Sequence, residues 1–258
     1  MDFPKEELLE KYLRIRKEII DPYKPSFTVP GATVRYVKFN DATEDLNMFS
    51  KCLIARLLNR KYLFPKKTSA KIASNADPAN YVTLQYDDAG VLRVAQCGEY
   101  DDGAYASVYV SDQLTIGYNL HGISSGSPLY RFTDFEWYEY DEAGRLKSAE
   151  RFRQHGSPER GVIINCEYYD YEGDTLSHAR QFKEYDTESA FGINSMVLQF
   201  VPDRIFCPDQ IEFTFRPAGD GLDYTRNHYY RKSQTITHEG HVPAETLENL
   251  KDNGIRLI

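Results

Sequence analysis

The string most like a metal or hydrolytic centre is His238-Glu239-Gly240-His241. Two histidines with a carboxylate between them are ligand types that zinc takes, and on one helix they would share a face. Zinc hydrolase helices space their histidines four apart, however, and Gly240 and Pro243 interrupt any helix here. The string is therefore expected to be a solvated turn, with no metal. His121, His155, His178 and His228 stand alone in the chain. Carboxylates gather at Glu99-Tyr100-Asp101-Asp102 and from Glu136 to Glu142. Two carboxyls facing each other across a sheet are the apparatus of glycoside hydrolysis. Alternation along Phe135 to Tyr140 puts Glu139 on one face with Phe135 and Trp137, and Glu136 on the other with Tyr138 and Tyr140. The next strand carries Arg145, Lys147, Arg151 and Arg153, which are expected to neutralise these acids as cross-strand partners. Glu99 to Asp102, flanked by Gly98 and Gly103, has no basic partner close by in sequence. It is the candidate for an exposed acidic contact, with Trp137 as an aromatic anchor. Ser124-Ser125-Gly126-Ser127 lacks the G-x-S-x-G frame, and no Gly-Lys-Ser/Thr follows the glycines at 117, 122 and 126. Gly117 to Pro128 reads as a long mobile loop with a binding role. No residue is assigned a catalytic or metal-binding role, and no cofactor is expected.

The chain has 258 residues, of which 31 are Lys or Arg and 39 Asp or Glu, a net charge of -8. That balance opposes a nucleic-acid footprint, which needs clustered positive charge, and suits a basic protein partner. No window approaches the roughly 18 apolar residues of a membrane helix, and Met1 to Glu7 contains no apolar signal core, so a cytoplasmic protein with no membrane contact is expected. Cys52, Cys97, Cys166 and Cys207 lie far apart and are expected to be free, mostly buried thiols. Sixteen of the 20 tyrosines fall between Tyr81 and Tyr230, which points to sheet.

These residues need a frame. Leu8, Tyr12, Ile15 and Ile19 form an apolar stripe that predicts a helix over Lys5 to Ile20, capped by Asp2 and stopped at Asp21-Pro22. Val29-Pro30-Gly31-Ala32 suits a type II turn in a short hairpin leading into Thr33 to Phe39. A second helix is expected from the Asp41/Glu44 capping box through Leu46, Phe49, Leu53 and Leu57 to Pro65. Residues 1–64 are thus a helical region expected to pack on a sheet, 65–80 a linker or loop, 81–242 an antiparallel β domain, and 243–258 a C-terminal helix and tail. The β domain announces itself by repetition. Tyr86-Asp87-Asp88-Ala89-Gly90-Val91-Leu92 and Tyr140-Asp141-Glu142-Ala143-Gly144-Arg145-Leu146 share one pattern. Looser copies, one residue longer, run from Tyr169 to Leu176 and from Phe215 to Leu222. An Asp that accepts from backbone two residues on, followed by a Gly at positive φ, makes each unit a hairpin turn. The strands expected beside them are 81–86, 91–97, 135–140, 145–152, 163–169, 175–182, 211–215 and 222–230. Alternation adds 105–110, 114–118 and 196–200. Glycines at 90, 144, 173 and 219 recur at intervals of 54, 29 and 46, too irregular for a solenoid or propeller.

Tyr140 to Leu146 fits Tyr-Asp-x-x-Gly-Arg-Leu in full and resembles the YD repeat of the rearrangement-hotspot and teneurin proteins. The resemblance covers about Tyr81 to Tyr230 and implies strand-turn-strand units, too few here for the hollow shell of that family. Short YD-like meanders also resemble parts of small bacterial proteins, including immunity proteins of contact-dependent toxin systems. The expected fold class is mainly β (α+β), an antiparallel meander of YD-like hairpins with helices at both chain ends. The expected function is a non-enzymatic protein-binding module, in its specific form an immunity protein that neutralises a basic toxin. The alternative is a carbohydrate-acting hydrolase or carbohydrate-binding protein that uses sheet carboxylates, Glu136, Glu139 and Asp141 among them, and tyrosines.

Overall fold

The computed structural model describes residues 3–38, 49–58, 63–65, 67–77, 80–100, 103–121, 129–154, 161–184, 209–230, 234–255 and 257. Twelve strands form an antiparallel meander whose order in space is the order in the chain. They are β1 (Thr33–Lys38), β2 (Tyr81–Tyr86), β3 (Leu92–Tyr100), β4 (Gly103–Ser111), β5 (Leu114–His121) and β6 (Leu129–Tyr140), then β7 (Leu146–Gln154), β8 (Val162–Glu172), β9 (Thr175–Lys183), β10 (Asp209–Ala218), β11 (Gly221–Tyr230) and β12 (Gln234–Val242). The helices are α1 (Lys5–Ile15), which continues as a π-helical turn over Arg16–Ile20, α2 (Leu53–Leu58) and α3 (Ala244–Asp252). The chain divides into two compact units: residues 1–23, 52–58 and 138–258 in one, residues 24–51 and 59–137 in the other.

The repeat's local chemistry explains the first two turns. Asp87 Oδ1 accepts from the amides of Ala89 (3.0 Å) and Val91 (2.9 Å), while Oδ2 accepts from Arg93 Nε at 2.7 Å. Asp141 repeats this with Ala143 (3.0 Å), Arg145 N (2.8 Å) and Arg145 Nε (2.7 Å). Gly90 and Gly144 close these turns at φ 76° and 75°, a region costly for any residue with a Cβ. The extra residue in the later copies changes the turn. Strands pair up to Glu172↔Thr175 and Ala218↔Gly221, so only Gly173-Asp174 and Gly219-Asp220 remain as two-residue loops.

In the 138–258 unit, α1 lays Leu8, Tyr12 and Ile15 on the sheet face that holds Phe152, Ile164 and Phe182. Tyr12 stands 5.9 Å from Phe152 and Phe3 5.5 Å from Phe182, ring centre to ring centre. α2 lies over the opposite face, where Tyr169 points, and α3 contacts β11. In the other unit, Val37, Phe49, Val82, Leu84 and Ala95 form a core flanked by Tyr86, Leu92, Cys97 and Tyr109.

Several expectations need correction. The type II turn exists, with Ala32 N donating to Val29 O and Gly31 at φ 70°, but it is not a hairpin: β1 pairs with β2, from Thr33↔Tyr86 to Lys38↔Tyr81. The described helix after it is Leu53–Leu58 alone, and Phe49 is buried in a non-helical stretch. The N-cap position of α1 is Pro4. Gly117 to His121 belong to β5 rather than to a mobile loop, and residues 122–128 of that segment lie outside the described residues. His238 to His241 form part of β12 rather than a turn. Asp2, Asp41, Glu44, residues 196–200 and Cys207 lie outside the described residues; Cys166 is a buried thiol, while Cys52 and Cys97 are half-buried. Among the described residues no helix is long and apolar enough to cross a membrane.

Candidate functional site

Register decides which of the marked residues meet. In the 24–137 unit, Tyr100 pairs with Gly103, Ala104 with Leu120, and Leu120 with Tyr130. The acidic run thus begins where β3 ends, at the sheet end where β6 starts three strands away. Glu99 and Tyr100 are the last residues of β3, and Asp101 and Asp102 lie outside the described residues. Tyr130 is 50% exposed and Leu129, on the opposite face, 76% exposed. Behind Tyr130 stand Phe27 and Tyr118, each 5.7 Å from it and 5.5 Å from one another by ring centroids. Phe27 belongs to no strand, and Gln85 holds it there. The Gln85 amide donates to Phe27 O at 2.9 Å and accepts from Val29 N at 3.0 Å. An aromatic side chain fixed from behind and open in front loses little entropy on binding, as interface anchors require.

Trp137 is not part of this patch. It pairs with Leu114, six residues along β5 from Leu120, so about 20 Å separates the two positions at roughly 3.3 Å per residue. Between them, at Gly117, the sheet admits a buried polar contact. Asp134 Oδ1 accepts from Tyr105 OH at 2.8 Å and from Thr133 Oγ1 at 3.1 Å. A Cβ on Gly117 would come 1.9 Å from that oxygen and 2.3 Å from the phenol. Gly117 is therefore needed for close approach, which its place in an alternating run did not reveal.

The carboxylates of the runner-up reading are engaged elsewhere. Glu136 is buried, Asp141 is held by its turn, and Glu139 pairs with Lys11 of α1 at 2.6 Å rather than with a residue of β7. Lys11 also meets Glu150 at 2.6 Å and so occupies the space between the two carboxylates. Burial pushes the Glu150 carboxyl up from its ordinary value, with Lys11 opposing the shift. Burial likewise raises the Cys166 thiol to about 12, which leaves it protonated and a poor nucleophile. On the other sheet face, Glu167 accepts from the Tyr169 hydroxyl, from Gln181 Nε2 (2.6 Å) and from Ile54 N (3.0 Å). Among the described residues no group of three or more His, Cys, Asp or Glu is placed to hold a metal ion. His241 instead contacts Asp223 at 2.7 Å.

Sequence reasoning marked Glu99 to Asp102 but missed Tyr130, Leu129 and Phe27. The run Leu129-Tyr130-Arg131-Phe132 was a usable signal, since it puts bulky apolar residues on both faces at a strand start. The position of Phe27 depends on a contact with Gln85, 58 residues away, and leaves no local trace. No protein-family model matches the chain, and neither a curated protein nor a solved structure matches it.

Proposed function

We propose that the protein is a non-enzymatic binding module that holds a basic protein at the end of the sheet shared by β3, β4, β5 and β6. The observation that carries this reading is the register that ends β3, at Glu99 and Tyr100 where the acidic run begins, three strands from half-exposed Tyr130 at the same end of the sheet, with Phe27 and Tyr118 behind that ring. Aromatic anchors supply contact energy, and the acidic run supplies steering and selects partners of opposite charge. A net charge of -8 reinforces that selection. In its specific form this is a bacterial cytoplasmic immunity protein, and its YD-like turns belong to the supporting frame.

The test is capture of a basic protein encoded beside this chain, at low and high salt. Binding should weaken as salt rises, fall at least about tenfold in Tyr130→Ala, and weaken when Asp101 and Asp102 become Lys. Trp137→Ala, about 20 Å off the patch by strand rise, should leave it unchanged. Retention of full affinity in Tyr130→Ala and in the charge reversal removes this surface from the function.

A further inference from the structure

The two outer strands of the meander are treated differently. β1 carries Arg35 and Lys38, and its outer side is bridged by Ser69: Tyr36 N donates to Ser69 O at 2.8 Å and Ser69 N donates to Tyr36 O at 2.9 Å. Cations and a covering segment are two of the usual devices that stop a sheet edge from recruiting another strand. β12 has neither. Among the described residues it pairs with β11 alone, in unbroken register from Leu222↔Val242 to Tyr230↔Gln234 and with no bulge. It contains no Lys, Arg or Pro across its nine residues. Thr235 to Glu239 are exposed, and Ile236 is 56% exposed.

We infer that β12 is the interface of a symmetric dimer, in which two copies of this chain pair their last strands antiparallel about a twofold axis at His238. A continuous sheet requires facing residues to point to the same side, so the axis must pass through a residue rather than between two. The axis at His238 is the one that pairs the whole strand. Ile236 then faces Gly240 of the other copy, Thr237 faces Glu239, and Thr235 faces His241. The one carboxylate of the strand, Glu239, faces Thr237 and not a second carboxylate, the arrangement that would destabilise a cross-strand pair, and the self-facing residue is His238. Gly240 adds a shape argument. A Cβ there would come 2.4 Å from the Tyr224 ring, so the ring packs against the bare glycine backbone. The Ile236 side chain of the second copy meets that glycine and ring instead of a competing side chain. The outward amides and carbonyls of both strands gain partners at the same time.

Sedimentation equilibrium on the whole protein tests this. The expected particle has twice the chain mass of 29.8 kDa. Ile236→Lys puts a cation at the interface and should weaken association at least about tenfold, with an unchanged far-ultraviolet spectrum. A second measurement does not depend on that variant folding. His238→Cys places two thiols opposite each other at the axis and should form a covalent dimer on mild oxidation, whereas Thr235→Cys, whose counterpart is His241, should not. A monomer at concentrations up to about 100 μM, where even a weak specific pair associates, overturns the proposal. So does a dimer whose mass and affinity survive Ile236→Lys, or cross-linking as efficient at position 235 as at 238.

Discussion

Glu150 and Glu167 are buried on opposite faces of the same stretch of sheet, and each holds a helix by different chemistry. Glu150 stands across from Cys166, the residue before Glu167, so the two carboxylates lie on neighbouring strands and point apart. On the α1 side the partners are cations. Lys11 spans Glu139 and Glu150, and Lys5 reaches Glu184 at 3.0 Å. On the α2 side the partners are neutral donors: Tyr169, Gln181 and the amide of Ile54, with Leu53 N donating in turn to the Tyr169 hydroxyl at 3.0 Å. A six-residue helix has too few internal hydrogen bonds to stand alone, and its first amides need acceptors. Glu167 and Tyr169 supply them from the sheet. An eleven-residue amphipathic helix such as α1 needs instead a fixed seating for its apolar stripe, which long lysine side chains provide at its flank. Buried acid here holds the helices in place, whichever donor it takes.

Removal of one partner on each side should separate the two modes. Lys11→Met leaves Glu150 buried without its cation, and loss of one member of a buried pair costs about 3–5 kcal/mol. The expected result is the largest fall in the urea midpoint of any single change considered, with a blue shift or quench of Trp137 not required. A loss under about 1 kcal/mol would mean that the triad behaves as a surface pair. Tyr169→Phe removes a hydroxyl that gives one hydrogen bond to Glu167 and takes one from Leu53 N, and should cost about 2 kcal/mol. Amide exchange would localise the effect: protection should drop at Leu53 and Ile54 and stay unchanged in α1. Equal loss in both helices would show that they are not held independently. Lys5→Ala should matter less, by about 1 kcal/mol, because Lys5 is partly exposed and Glu184 keeps the amide of Ile164 at 2.8 Å.

The same contrast separates what the sequence discloses from what it conceals. Turns written within six residues were legible: Asp87 and Asp141 bond to their own loops, and Gly90 and Gly144 take positive φ where the repeat puts them. Strand alternation placed most of the meander, and α1 and α3 followed from their apolar spacing. β12 was missed because its residues, Gln234 to Val242, carry little apolar signal at a strand whose side chains are mostly exposed. Partners that arrive from far along the chain were also hidden. Glu139 looked as if it should meet arginines of β7, yet Lys11, 128 residues away, takes that place, because α1 covers this face of the sheet. Phe27 joined Tyr118 and Tyr130 for a comparable reason. The run Glu99 to Asp102 is written in the sequence as a charge run, whereas the cluster of Phe27, Tyr118 and Tyr130 depends on register.

Titration gives the smallest effect and the sharpest contrast. Burial holds the carboxyls of Glu150 and Glu184 above their ordinary values, with Lys11 and Lys5 opposing the shift. A folded chain that binds these protons more tightly than the unfolded chain is stabilised below the unfolded pKa, and it loses that contribution as pH rises through the folded pKa. Asp87 and Asp141 have the opposite sign. Hydrogen bonds, from Val91 N first in one case and from the Arg145 side chain in the other, hold them below their ordinary values. Their contribution is present above the unfolded pKa and is lost as pH falls through the folded one. Glu150→Gln keeps the shape, removes one titration and leaves Lys11 its bond to Glu139. Urea midpoints should therefore stay within about 1 kcal/mol of the parent near neutral pH, while the decline in stability with rising pH becomes shallower. An unaltered pH slope would place that decline in other groups, and a loss as large as that of Lys11→Met would mean that the Glu150 charge itself, rather than its cation, holds α1 in place.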